Sequence, residues 1–216
     1  MKSKITICIL LLALVLFVIL TVFVLTENIL IQDFNYAFYL PIMGMITPAL
    51  TAVATWIGRL THWYSYAPII LLLLIIPRTR MKAGLPMAIT LSVSALLGPI
   101  ILKNAFAIER PDVNPLIDPG GFGYPSGHSM NAAVFFGMCT IMILRYSNQK
   151  SLKIGFTIFA GICIFLVGLS RIYLGVHVAT NVIGGYLAGI VVLCGATLIE
   201  KRVRRKGAPE SEVARD

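Results

Sequence analysis

The sequence predicts an all-α integral membrane protein, a six-transmembrane-helix bundle with short interfacial helices between spans 1 and 2. The 216 residues are 58% hydrophobic and 12% charged, with a mean hydropathy of +0.88, which is far too apolar for an ordinary water-soluble domain. Six charge-free stretches, at about 5–25, 63–76, 85–102, 129–144, 154–170 and 178–199, approach or reach the roughly 17 to 25 residues that cross a bilayer. Hydrocarbon offers no partner for backbone N–H and C=O groups, so these stretches must be helices. The basic residues, finally, fall almost entirely on one side of such a bundle.

Lys2 and Lys4 precede the first span, and Thr26-Glu27-Asn28 follows it where a cleaved leader would carry small residues. The first run therefore reads as a retained anchor whose N-terminus is cytoplasmic. Between residues 34 and 58 there is no charge, yet Pro41, Gly44 and Pro48 interrupt the stretch and Trp56, Trp63 and Tyr64 follow it. Two short helices at the membrane surface fit this pattern better than a further span.

Charge placement supports that choice. With six spans, every basic residue except Arg59, Lys103, Arg110 and Arg171 lies on the side of the N-terminus, and the positive-inside rule makes that side cytoplasmic. A seventh span would move Arg78, Arg80 and Lys82 outside. The run Lys201-Arg202-Val203-Arg204-Arg205-Lys206 closes the last span as an anchor at an anionic lipid surface. The chain thus divides into a six-span domain over 1–206, with its motifs between 103 and 181, and a mobile polar cytoplasmic tail over 207–216.

A net charge of +9 placed this way serves topology, and no nucleic-acid partner is expected. Cys8, Cys139, Cys163 and Cys194 all lie in apolar stretches and read as small buried hydrophobes. In the last span, Gly185 and Gly189, like Gly184 and Ala188, are spaced for close helix packing.

The candidate site grows from Tyr124-Pro125-Ser126-Gly127-His128-Ser129-Met130, a turn running into an apolar helix. Ser126 can cap that helix, whose first N–H groups have no partner of their own and attract anions. His128 adds a proton donor beside the anion. Lys103 and Arg110, seven residues apart, are expected to face the same way on a helix leaving the membrane. Arg171 ends the fifth span and His177 opens the sixth.

The topology brings Lys103, Arg110, Ser126, Gly127, His128, Arg171 and His177 to one membrane face. Singly, each has a plain reading: a boundary lysine, an arginine paired with Glu109 or Asp112, an interfacial histidine. Together they are what phosphoryl transfer requires: cations and helix-end N–H groups for the non-bridging oxygens, a nucleophile, and an acid for the leaving oxygen.

Lys103-x6-Arg110-Pro111, then Pro125-Ser126-Gly127-His128, then Ser170-Arg171-x5-His177 resemble the three-part signature of the membrane-bound type 2 phosphatidic acid phosphatases. The resemblance implies that His177 attacks phosphorus and becomes a phosphohistidine. It also implies that His128 protonates the leaving lipid oxygen and that Lys103, Arg110, Ser126, Gly127 and Arg171 hold the phosphate. It implies no cofactor and no metal, and a lipid phosphate substrate among membrane lipids: undecaprenyl diphosphate, phosphatidylglycerophosphate or phosphatidic acid. No obligatory protein partner is evident.

One position departs from that pattern. Where the family has an aspartate four residues after the histidine, this chain has Asn181. On a helix the two side chains would be neighbours, and an aspartate there would accept the imidazole N–H and stabilise its charge. Three readings follow: a substitution introduced into an active enzyme, a naturally slow enzyme, or a homologue that binds lipid phosphate without turning it over. A transporter is disfavoured, because charges marking a transport path sit at mid-membrane depth and all six spans are free of charge.

Overall fold

A computed structural model describes residues 3–110, 115–118 and 120–206. The tail at 207–216, Pro111 of the first motif and Asp112 lie outside the described residues. Regular structure among the described residues is entirely helical. Helix α1 spans Ser3–Leu25, α2 Ile29–Met43 and α3 Pro48–Leu60. A 3₁₀ turn, Trp63–Tyr66, leads into α4, Ala67–Ile75. A long bent helix, α5, spans Pro77–Phe106, followed by α6 at Gly127–Tyr146, α7 at Lys150–Tyr173 and α8 at Ala179–Lys206.

Five of these, α1, α5, α6, α7 and α8, are long and apolar enough to cross a membrane; α1, α5, α7 and α8 present exposed Leu, Ile, Val or Phe, whereas in α6 the exposed one is Leu144, near its end. The apolar stretch expected as the second span is shorter, Tyr64–Ile75. It still joins the two ends of the bundle: His62 and Tyr64 line a cavity at one end, while Met81 and Lys82 line a groove with Glu200 and Arg204 at the other. The return is a tight turn in which Thr79 Oγ1 donates to Leu73 O and Arg80 Nε to Leu74 O, satisfying the last carbonyls of α4.

The two short helices expected between the first spans are present as α2 and α3. Asn28 caps α2 through Leu30 N, and Thr47 caps α3 through Leu50 N, with Pro48 at the first helical position. Helix α3 is two-faced. Leu50, Val53, Trp56 and Leu60 are exposed, while Ala54 and Gly58 are buried against α7.

Helix α6 forms the centre, with α5, α7 and α8 around it and α1 lying along α8. The core gathers Met87 and Leu91 of α5, Val134, Phe135 and Met138 of α6, and Tyr66, whose ring stacks on Phe135 at 4.1 Å. The glycines of α8 behave as their spacing suggests. A Cβ on Gly185 would meet Ser126 O and Ser129, and one on Gly189 would meet Met130 and Ala133, so α8 lies directly against α6.

Candidate active site

Each motif is positioned by the end of a helix. Lys103 sits in the last turn of α5, just after a π-helical stretch, Leu97–Leu102, that contains Pro99, whose missing N–H breaks the ordinary helical ladder. Ala107 then takes a left-handed conformation (φ 50) and ends the helix. Lys103 and Arg110 therefore do not share a helix face, contrary to the expectation from their spacing. They converge because the chain turns back: Gly123 N donates to Ile108 O at 2.7 Å, and Arg110 returns over the helix end. Its Nε donates to the carbonyls of Gly120 and Gly121, and its Nη1 donates to Val176 O and lies 3.4 Å from His177 Nε2. Lys103 Nζ donates to Phe122 O at 2.7 Å.

The turn before α6 is held from three sides. Tyr124 is fully buried, its ring stacked on Phe17 of α1 and tilted against Phe106 of α5, and its hydroxyl lies 2.8 Å from Thr21 Oγ1. Burial pushes its phenol up to about 12. Ser126 N donates to Asn181 O at 2.9 Å, which ties the second motif to the start of α8. Ser126 Oγ accepts from Ser129 N and Ser129 Oγ, so it caps α6 as expected. Ser126 is completely buried. Asn131, one turn on, is joined to α5 by a 2.7 Å hydrogen bond from Ser94.

Arg171, in the last turn of α7, and His177, in the turn between α7 and α8, close the site, each only 3% exposed. Arg171 Nε donates to Ser170 Oγ and its Nη2 to Ala54 O of α3, at 3.1 and 3.0 Å. Gly58 of α3 lies flat on the guanidinium, and a Cβ there would overlap it. One turn away on α3, Tyr173 Oη accepts from Thr47 N and bonds Thr51 Oγ1. His177 is reached through a turn in which Val176 N and His177 N both donate to Arg171 O.

These residues line two adjoining cavities. The smaller, of about 190 Å³, is walled by Lys103, Arg110, Gly127, His128 and His177, among others. The larger, of about 360 Å³, is walled by Arg110, His128, Arg171 and His177, with Arg59, His62 and Asp118. Burial, and then the charges of Arg110, Lys103, His128 and Arg171, hold the His177 imidazole well below its ordinary range, so it is neutral and carries a lone pair at neutral pH. Burial also lowers Arg110, and the carboxylate of Asp118 opposes that shift. Asp118 also accepts from Gly120 N, and Glu109 is exposed. Among the described residues no group of three or more His, Cys, Asp or Glu side chains could hold a metal ion.

Arg59 and His62 are additions to the expected set. His62 meets His128 edge-on, with ring centroids 5.4 Å apart, and lines both cavities. The available signal was that Arg59 is an outer-side cation not needed for topology and His62 the third of three histidines.

Asn181 stands differently from its expected place. His177 precedes α8, which begins at Ala179, so the pair does not sit at i, i+4 within one helix. Asn181 lines a separate cavity of about 400 Å³ with Asn35, Tyr39, Glu109, Arg110 and Thr180, and a Cβ on Gly123 would lie 3.3 Å from its Nδ2. His177 Nδ1 is buried and has no hydrogen-bond partner among the described residues.

The chain resembles proteins of known activity. It is 34% identical over 126 residues to phosphatidylglycerophosphatase B of Bacillus subtilis, a match covering 56% of this chain and 60% of that protein. It is 30% identical over 186 residues to undecaprenyl-diphosphatase of Sulfolobus acidocaldarius, covering 82% of this chain and 84% of that one. Its structure superposes on the crystal structure of a transmembrane PAP2-type phosphatidylglycerolphosphate phosphatase from Bacillus subtilis with a TM-score of 0.79 at 28% identity, covering 90% of this chain and 96% of the other. The sequence pattern of the PAP2 superfamily spans residues 83–205, from the second turn of α5 through all three motifs, and the chain belongs to that superfamily.

Proposed function

We propose that the protein hydrolyses a lipid phosphate or diphosphate through a phosphohistidine at His177. The observation that carries this reading is the placement of the His177 imidazole, its Nε2 3.4 Å from Arg110 Nη1, in a wall shared by two cavities that Lys103, His128 and Arg171 also line. Lys103, Arg110, Arg171 and the N–H groups at Gly127 hold the headgroup oxygens, with Ser126 keeping those N–H groups aimed. The Nε2 lone pair forms a bond to phosphorus as the bond to the lipid oxygen breaks, and His128, protonated once the bound phosphate offsets the cations around it, delivers its proton to that oxygen. His128 then takes a proton from water, whose oxygen attacks the phosphohistidine and releases inorganic phosphate. The charge on phosphate is met by side-chain cations, and release is expected to persist in EDTA.

The substrate's tail lies among the helices while its headgroup meets the cations. Undecaprenyl diphosphate, phosphatidylglycerophosphate and phosphatidic acid all fit this chemistry. The basic end carrying Arg78, Arg80, Lys82 and Arg145 is cytoplasmic in this reading, so both termini are cytoplasmic and the site faces outward. Cysteines introduced at positions 114 and 148 test it: an impermeant thiol reagent should label intact cells at 114 and not at 148, and the reverse would invert the orientation.

A lipid-phosphate binder without turnover is the second reading, and Asn181 is the feature that favours it. An amide brings no negative charge to the imidazolium that forms on attack, and the corresponding change in the serine-protease triad costs about 10⁴ in rate. The deciding measurement is phosphate release from the three lipids by the purified protein and its Asn181→Asp form. Release raised at least ~10-fold by aspartate supports the enzyme. No release from either form, with lipid binding retained, establishes the binder.

A further inference from the structure

We propose that Arg59, in the last turn of α3, and His62, just past its end, form a second anion subsite next to the His177 site and receive the second phosphoryl group of a lipid diphosphate. The inference rests on the phosphatase reading and narrows its substrate. Arg59 and His62 wall the 360 Å³ cavity together with His128, Arg171 and His177. The 190 Å³ cavity beside it already supplies one phosphoryl group with Lys103, Arg110, the start of α6 and both catalytic histidines. At about 30 Å³ for each water, the larger cavity has room for a second tetrahedral anion and its hydration.

The geometry of the shared wall gives the arrangement a chemical sense. His128, His177, His62 and Arg110 line both cavities. A diphosphate spanning them places its terminal phosphorus toward Lys103 and His177, and its bridging oxygen at the partition, where His128 stands. The phosphoryl group that leaves with the lipid then lies toward Arg59 and His62, in the cavity that Arg171 also lines. Asp118, the carboxylate in that wall, is opposed by Arg59, Arg110 and Arg171, so the cavity keeps an excess of positive charge.

Helix α3 is also fixed tightly enough to hold such a subsite. Its inner face is joined to α7 at Thr47, Thr51, Ala54 and Gly58, through Tyr173 and Arg171. Arg59 follows directly after the contact at Gly58, and its guanidinium lies 5.5 Å from the Trp56 ring. His62 is braced by Tyr64 at 4.2 Å on one side and by His128 on the other. The same contacts that seat Arg171 therefore set where Arg59 and His62 end up.

The test uses Arg59→Gln, His62→Gln and the double substitution in the Asn181→Asp protein, with phosphate release measured on undecaprenyl diphosphate and on phosphatidic acid. The ratio of kcat/KM for diphosphate over monophosphate should fall at least ~10-fold in the double variant, as expected for loss of a charge-assisted contact. An unchanged ratio, with both substrates affected alike or neither affected, overturns the subsite. If the Asn181→Asp protein releases phosphate from no lipid, the phosphatase reading fails by itself, and calorimetric binding of inorganic pyrophosphate and inorganic phosphate still decides the subsite. Arg59→Gln should weaken pyrophosphate at least ~5-fold more than phosphate; equal weakening overturns it.

Discussion

At one end of the bundle Arg145 and Arg204 share the carboxylate of Glu200, at 2.8 and 2.7 Å, in a partly exposed setting. At the other end Arg171, almost fully buried, donates to the carbonyl of Ala54 and the hydroxyl of Ser170, and Lys103 donates to the carbonyl of Phe122. Helix α6 separates the two ends, with Ser126 at its start and Arg145 in its last turn. The first end has neutralised its charge with a carboxylate. The second has oriented its charge with dipoles and kept it, which costs desolvation and leaves a positive field for an incoming anion. Stability and function thus draw on different ends of the same helices.

The largest expected effect is at the charged, uncompensated end. If His177 is the nucleophile as proposed, His177→Ala in the Asn181→Asp protein should lower phosphate release by about 10⁴ or more and abolish acid-labile phosphoenzyme, leaving only binding and electrostatic contributions. Arg171→Met should cost ~10²-fold or more in release, while the thermal midpoint moves by less than about 5 °C, because the substitution also removes a costly buried charge. A large fall in the midpoint instead would mean that this arginine is mainly structural. Gly58→Ala should cost roughly 10-fold, as its Cβ pushes the guanidinium out of place, with binding affected as well as rate.

Smaller effects sharpen the contrast. His177 and His62 are both held below the ordinary histidine range, by burial first and by nearby cations second. The unfolded chain then binds more protons than the folded one below a pH of about 6.5, so stability is full above that pH and falls as pH drops through it. Thermal midpoints measured downward from about pH 7 should decline, and the decline should be shallower in His177→Gln. Glu200→Gln should change stability by less than ~1 kcal/mol and leave phosphate release unchanged, since exposed ion pairs are weak.

The amino-acid pattern was a good guide wherever one short segment determined the outcome. The Ser126 cap, the glycine stripe of α8 and the pairing of Arg171 with His177 across a short turn are all local, and all are present. Lys103 and Arg110 meet for a different reason from the one their spacing suggests: Ala107 adopts a left-handed conformation, and the loop return that follows is set by Gly123, Val176 and the start of α6. The apolar stretch before Pro77 gives a helix of less than spanning length, because the turn at Ile76 and the 3₁₀ start at Trp63 both shorten it. Arg59, legible in the sequence only as an outer-side cation, and His62 join the site because the docking of α3 on α7, through residues more than a hundred positions apart, carries them to the cavity.

The hydrogen bond between Thr21 and Tyr124 joins residues 103 positions apart and pins the first helix to the turn that opens α6. During synthesis α1 emerges long before that partner exists, and the ring pocket formed by Phe17, Phe106 and Gly184 is completed only when α8 has been made. The turn that opens α6 therefore completes its packing only once the first turns of α8 are in place. A chain truncated just before Gly184 would hold every motif residue and still lack part of the surface against which the Tyr124 ring packs.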